Sequence, residues 1–275
     1  MRPDAIRAVA VNTALVALTA LTLLPLFWMA SVSFMAPGEA SRFPPPLLPA
    51  SPTLANYREL LGAEGGILRQ AFNSFCLALA ATVLSVTFNV AAGYAFAKLR
   101  FPGRDRLFRT LLGALVIPAQ VTMMPLFLML KSMGLVNTYT GALVPWIAGV
   151  FGIFLVRQYV QSVPDELIEA ARIDGASELR ILLEVVLPVI RPILATLAVL
   201  TFLASWNDFM WPLIVLSDRD MQTLPLALAS LSREHVQDAE LMMAGSVLTV
   251  TPVLVIFLVL QRHYMRGLMA GAVKQ

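Results

Sequence analysis

Six stretches of this chain are nearly free of charge over twenty residues or more, and that feature restricts the fold most. Residues 8–38, 70–97, 110–130, 132–156 and 241–261 carry no Asp, Glu, Lys or Arg, and residues 192–217 carry only Asp208. A helix needs roughly 20 mostly apolar residues to cross a hydrocarbon core of about 30 Å. Backbone polar groups in lipid must be bonded internally, which leaves helices for runs this long. Composition agrees: charged residues make up 13 % of the chain, about half of the roughly 25 % of a soluble domain. A disordered chain, a secreted disulfide scaffold and an ordinary cytosolic enzyme are thereby excluded.

The expected fold is all-α: a polytopic integral membrane protein with six transmembrane helices, forming a single membrane domain over residues 1–275. The first run exceeds the roughly 7–15 residues of a signal-peptide core, so a retained span is expected. In the fourth run the polar stretch Gly134–Gly141 moves the expected start of the span to near Gly141. Fourteen Lys and Arg residues fall in the tails and in the segments after spans two and four, against six in the other loops. That bias places both termini in the cytoplasm.

The outer segment after span one holds Pro37, Pro44, Pro45, Pro46, Pro49 and Pro52, and is expected to be extended. Residues 54–61 then read as a short amphipathic helix. This loop is either a linker or a platform for an outside partner. The acidic segment 218–240 reads as a solvated loop.

The inner loop 157–191 is 35 residues long, far beyond a simple helix connection. Ser162 is a plausible N-cap, Pro164 suits a first turn, and Asp165 and Glu166 complement the positive end of a helix dipole. Gly175 is placed to end that helix in the left-handed conformation. Ser177 can cap a second helix, expected from Glu178 to Leu187 before Pro188. Leu167, Ala170, Ala171 and Asp174 share one face of the first helix, thin enough for another protein to approach closely. Isolated, so short a helix is marginal, so it must pack on its own chain or on a partner.

Catalytic constellations are missing. There is no phosphate-cradling Gly-x-x-x-x-Gly-Lys-Ser/Thr, no Gly-x-Ser-x-Gly and no His-Glu-x-x-His. Cys76 is the only cysteine, and His235 and His263 are too few for a metal cluster, so no metal site is expected. The methionines read as adaptable packing.

Within the inner loop, Glu169-Ala170-Ala171, Gly175, Val185 and Leu187-Pro188 resemble the EAA loop of ABC importer permeases. The family pattern has Ile where this chain has Val185. Asn73-Ser74-Phe75, Ala92 to Ala97, Phe101-Pro102-Gly103, the run Ser205 to Pro212, Thr223 to Leu226, Arg266-Gly267-Leu268 and Gly271 to Lys274 are similar to the carbohydrate branch, of the maltose and glycerol-3-phosphate permease type. The resemblance implies a type I importer fold. It implies a second permease subunit, two ATP-binding cassette subunits carrying ATP and magnesium, and an extracytoplasmic solute-binding protein. This chain itself would hold no cofactor and bind no nucleic acid, and would sit in a bacterial or archaeal inner membrane.

The resemblance further implies that Glu169, Ala170, Ala171, Asp174, Gly175, Leu187 and Pro188 serve ATPase coupling, with Glu169 holding the loop or pairing with a basic ATPase residue. The solute would be a sugar or oligosaccharide. Alternatives are glycerol-3-phosphate or a glycerophosphodiester on the same machine, or a standalone secondary transporter.

Polar residues inside spans are costly and often functional. Asn89, Gln120, Asn207 and Asp208 stand out, with Asp208 the sharpest. They would line the substrate path, and Trp206 and Trp211 would stack on a sugar face. The competing reading is that Asp208 pairs with a neighbouring helix, Gln120 serves backbone freed by Pro118, and the tryptophans form an interfacial belt. Gly93 and Ala97 read as close helix packing.

Overall fold

All six charge-free runs are mostly helical, and three of them are interrupted: 110–130, 132–156 and 192–217. The computed structural model describes residues 3–62, 67–234 and 238–272, and no strand occurs among them. In chain order, α1 (Pro3–Ser33) and α2 (Ala55–Gly62) flank the proline-rich segment, and α3 (Ile67–Lys98) follows. Next come α4 (Arg104–Ala114), α5 (Ala119–Ser132), α6 (Tyr139–Leu143) with the 3-10 turn Val144–Trp146, and α7 (Val150–Gln161). Then α8 (Asp165–Ile173) precedes α9 (Glu178–Arg180), a π segment (Ile181–Val186) and α10 (Leu187–Trp206), the last three running on as one helix. The order closes with α11 (Met210–Val215), α12 (Leu224–Glu234) and α13 (Ala239–Ala272). His235, Val273 and Lys274 lie outside the described residues.

Among the described residues four helices are long and apolar enough to cross a membrane unbroken: Ala10–Ser33, Ile67–Lys98, Glu178–Trp206 and Ala239–Val259. Two further helix pairs pass the same test only when joined, and both are sharply bent, so the described residues hold four unbroken spans, or up to six where each bent pair crosses. The third run is not one helix, because α4 and α5 meet at 105°. Pro118, at φ −59° and ψ 133°, starts α5. Without an N–H, and with its ring against the preceding turn, it cannot continue α4.

In the fourth run α6 and α7 meet at 43°. The run starts at Tyr139, capped by Thr138, whose hydroxyl accepts from Gly141 N at 3.0 Å. That is two residues before the expected start. Backbone freed at the break is satisfied from α3: Asn89 Oδ1 accepts from Gly149 N at 3.0 Å while Asn89 Nδ2 donates to Ser85 Oγ at 2.8 Å. A polar side chain inside a span is thus accounted for by an interrupted neighbour.

The chain divides into two compact units. One comprises residues 1–69 and 227–252. In it α1 is exposed over most of its length, and Thr19 and Thr22 return their hydroxyls to the carbonyls of Leu15 and Leu18. Apolar surface on all sides is what a lipid-facing span requires. Asn56 on α2 donates to Ser33 O and Met35 O at 3.0 and 2.9 Å, satisfying carbonyls at the C-terminal end of α1. The proline-rich segment is non-helical, as expected, and is ordered by carboxylates. Glu39 accepts from Ala36 N and Ala50 N, and Glu240 accepts from Ala40 N at 2.7 Å. These backbone N–H groups, that of Ala50 foremost, hold the Glu39 carboxyl below its ordinary range.

The second unit comprises residues 70–226 and 253–275. Its largest core joins Val90 and Tyr94 of α3, Val156 and Val160 of α7, Ile168 of α8, Ile181 and Val186 of the π segment, and Ile190 of α10. A Cβ on Gly93 would lie 2.6 Å from Val156 Cγ1, so the bare backbone is what admits α7. Two expectations are corrected. Pro188 does not end the second loop helix, which continues to Trp206. The widened turn before it, in which Leu187 N–H reaches back to Leu182 O, accommodates a proline that has no N–H to give. Residues 218–240, expected as a solvated loop, contain α12 instead. Leu224 and Leu226 are buried, and Leu224 N donates to Ser74 Oγ at 2.7 Å.

Candidate functional site

The loop helix α8 starts without a side-chain cap, at Pro164. Ser162 is not its N-cap: it ends α7, donating its hydroxyl to Tyr159 O at 2.7 Å. The C-terminus follows the sequence closely. Gly175 has φ +79°, Gly175 N bonds to Arg172 O and Ala176 N to Ala171 O. Those two bonds make a Schellman motif, which only glycine enters without strain. Ser177 caps the next helix as expected, accepting from Arg180 N.

Nine residues cannot hold a helix unaided, and two kinds of contact fix this one. Ile168, 2 % exposed, and the half-buried Ala171 pack into the core described above. Ion pairs clamp both ends. Lys98 Nζ, at the end of α3, donates to Asp165 Oδ1 and to Val163 O, each at 2.6 Å. Arg172 Nε donates to Glu178 Oε1 at 2.8 Å, and Tyr94 Oη donates to Glu178 Oε2. The hydrogen bond from Lys98, then its charge, hold the Asp165 carboxyl below its ordinary range. The Glu178 hydrogen bond raises the Arg172 guanidinium.

The expected contact face is therefore corrected. Ala171 turns inward with Ile168, because the large branched side chain takes the core position. Leu167, Glu169, Ala170, Ile173 and Asp174 are exposed. Ile173 keeps 86 % of its surface and Leu167 49 %. Beside α8 lies a groove of about 780 Å³, lined by Lys98 to Phe101 and Arg104 on one side and Asp165, Glu169, Arg172 and Glu178 on the other. Val185 and Leu187 pack on the core below it, and Pro188 is exposed. The clamp residues Lys98, Tyr94, Arg172 and Glu178 were not singled out in the sequence, since their pairing spans up to 84 positions.

The path residues do not form one cluster. Trp206 is buried and stacks on Phe202 at 6.1 Å. Trp211 is buried and donates its indole N–H to Gly141 O at 3.1 Å. Asn207 is exposed and donates to Leu203 O at 2.8 Å, and Gln120 is exposed near the start of α5. Asp208 sits in the break between α10 and α11, with Oδ1 accepting from Trp211 N at 3.3 Å. Asp208 and Trp211 border a cavity of about 340 Å³, completed by Thr122, Met123, Leu126 and Trp146 among others. Three interrupted spans converge there: the start of α5, the α6–α7 break and the α10–α11 break. Among the described residues no three His, Cys, Asp or Glu side chains gather where a metal could bind.

Comparison with known proteins places this architecture. The family model of the binding-protein-dependent transport system inner membrane component matches residues 89–269, a range that includes α8 and the second loop helix. The arabinooligosaccharides transport system permease protein AraQ of Halalkalibacterium halodurans is 40 % identical over 227 residues, covering 82 % of this chain and 81 % of that protein. The sn-glycerol-3-phosphate transport system permease protein UgpE of Pectobacterium atrosepticum is 35 % identical over 237 residues, 84 % of either chain. Among solved structures, a chain of a bacterial ABC transporter involved in the import of the acidic polysaccharide alginate superposes with a TM-score of 0.84. It is 24 % identical, over 96 % of this chain and 98 % of that one, a likeness of fold. With a relative of such identity along most of its length and a family match that includes its loop helix, this chain belongs to the inner membrane components of binding-protein-dependent transport systems, the permease subunits of ABC importers.

Proposed function

We propose that this chain is one of two permease subunits in an ATP-driven importer of an uncharged sugar or oligosaccharide, and that α8 couples the ATPase to the spans. The observation that carries the coupling role is the two-sided character of α8. One side is locked to α3 by Lys98–Asp165, to α9 by Arg172–Glu178 and to the core by Ile168. The other offers Leu167, Glu169, Ala170, Ile173 and Asp174 to a partner. A displacement of α8 would be passed to the rigid core behind it. Two ATP-binding cassette subunits would hold ATP and magnesium, both termini would lie on their side, and a solute-binding protein would deliver substrate from the other. The second permease would be a different chain. ATP drives transport only if it binds the inward- and outward-open states with different affinity.

The substrate class rests on the cavity at the span breaks. Asp208 is its charged lining residue, and among the described residues no Lys or Arg borders it. Sugar hydroxyls donate to a carboxylate, whereas a phosphate would approach it against like charge. The 35 % identity to UgpE favours glycerol-3-phosphate or a glycerophosphodiester as the second reading. Proteoliposomes holding this chain, its partner permease, ATPase and binding protein separate the two. Stimulation of ATP hydrolysis by a neutral oligosaccharide supports the first reading, and stimulation by glycerol-3-phosphate alone replaces it with the second.

A further inference from the structure

The arginines that follow α3 are not used by the coupling clamp or by the cavity at the span breaks. Arg100, Arg104, Arg106 and Arg109, with Phe101 and Asp105, line a groove of about 600 Å³. Arg104 is oriented by Asp105 Oδ1 at 3.0 Å and Leu99 O at 3.2 Å, and Arg109 Nε donates to Asp105 O at 3.2 Å. One carboxylate faces four guanidiniums, so the groove carries a clear positive excess.

The helix that bears them has a second property. Phe108 is buried and Leu111 and Leu112 are half-buried, so one side of α4 is seated on the protein, with Arg157 stacked over the Phe108 ring at 4.1 Å. A different side and the turn beyond it expose apolar surface: Leu107 at 50 %, Leu115 at 49 %, Val116 at 83 % and Ile117 at 53 %. The 105° turn into α5 leads α4 away from the direction of the span that follows. Exposed leucine, valine and isoleucine beside a row of arginines is the pattern of a helix lying in a membrane interface, apolar side toward acyl chains and basic side toward headgroups.

We infer that the groove over Arg100, Arg104, Arg106 and Arg109 binds the phosphate of an anionic phospholipid headgroup, with Leu107, Val116 and Ile117 against its acyl chains. Guanidiniums suit phosphate because their fixed fork of donors engages two oxygens at once. Arg100 and Arg104 also line the groove beside α8, so the lipid would sit next to the coupling helix. This site is independent of which solute is carried.

The test uses the full chain in nanodiscs, with Arg106→Gln/Arg109→Gln as the variant; Arg104 is left intact because it also holds Leu99 O. Discs are made of phosphatidylcholine with phosphatidylglycerol as a minor component, and retained lipid is measured by native mass spectrometry. Inorganic phosphate and soluble glycerophosphoglycerol are run as competitors. The expected result is selective retention of phosphatidylglycerol by the wild type, falling roughly fivefold for each arginine neutralised, the scale of one basic side chain at an anionic leaflet. Millimolar phosphate should not displace it, since the acyl chains contribute.

Equal retention of the two lipids by the wild type overturns the inference, as does unchanged selectivity in the variant. Displacement by inorganic phosphate reassigns the groove to a free anion and overturns the lipid. In a parallel pull-down with the ATPase subunits, loss of their association in the variant with lipid selectivity intact makes the arginines a protein contact and overturns it too. Circular dichroism and monodispersity of the variant exclude misfolding as the cause of a lost preference.

Discussion

Lys98 at the end of α3 grips Asp165 at the start of α8 across 2.6 Å, with the lysine side chain 7 % exposed and the aspartate 73 % exposed. A buried ammonium thus ties the foot of a span to the first turn of the loop helix, and it also donates to Val163 O. Replacing Lys98 by Met keeps the stem and removes the donor. We expect a loss of about 1–3 kcal/mol, the cost of a buried carbonyl left without its partner, and faster proteolysis between residues 161 and 176. Thermal unfolding in detergent and limited trypsinolysis measure both.

The same pair gives α8 a defined pH response. The Asp165 carboxyl is held below its ordinary range by Lys98. A group whose folded pKa is depressed stabilises fully above its unfolded pKa, about 4, and loses that contribution as pH falls through the folded value. Protection of the α8 amides against hydrogen exchange, corrected for intrinsic rate, should be flat from pH 8 to pH 5 and fall below pH 4. Asp165→Asn should remove the acid step.

Opposite sides of α8 should separate stability from coupling. Ile168→Ala empties a core position and should cost about 2–5 kcal/mol. Leu167→Glu alters only an exposed side and should leave unfolding within about 0.5 kcal/mol of wild type, while weakening association with the ATPase subunits. Pull-down against thermal stability reads the two effects apart.

Close approach of α3 and α7 is set at Gly93. A valine there would place its Cβ within 2.6 Å of Val156 Cγ1 and close to Arg157 N, where backbone cannot give way easily. Gly93→Val should cost roughly 1–3 kcal/mol or more and lower the yield of monodisperse protein. Pairing it with Val156→Ala should recover part of the loss.

Asp208 tests the cavity at the span breaks. Asp208→Asn keeps an acceptor for Trp211 N and removes the charge. We expect transport of a neutral sugar to fall less than tenfold, and exclusion of anionic analogues to relax. Uptake of labelled sugar against its uronate analogue measures the ratio.

How much was legible in the sequence follows from the range of each interaction. The six runs, the proline-rich segment, the α2 helix, the Gly175 stop and the Ser177 cap rest on composition or on contacts within a few residues, and the structure has them. Ser162 closes α7 instead of opening α8, because a serine between two helices can do either and Pro164 leaves only the first choice. Pro188 read as a stop because a π segment is invisible to a 3.6-residue period. The break before Gly149 depends on Asn89, sixty positions earlier. The burial of Trp211 depends on Gly141 O, seventy positions away. Which side of α8 faces the core was not fixed by periodicity, since Leu167 and Ile168 are both apolar and only the packing of α3 and the π segment distinguishes them.

Glu169 is the charged residue at the centre of the exposed side of α8, the side that would transmit ATPase closure. The direct measurement is solute-stimulated ATP hydrolysis together with uptake, in proteoliposomes of the full complex, for wild type and Glu169→Lys. Because Glu169 is exposed, the variant should fold and assemble. Stimulation and uptake should both fall at least tenfold while basal hydrolysis by the ATPase subunits persists. Wild-type stimulation and uptake in a correctly assembled Glu169→Lys complex would contradict the coupling role assigned to this helix.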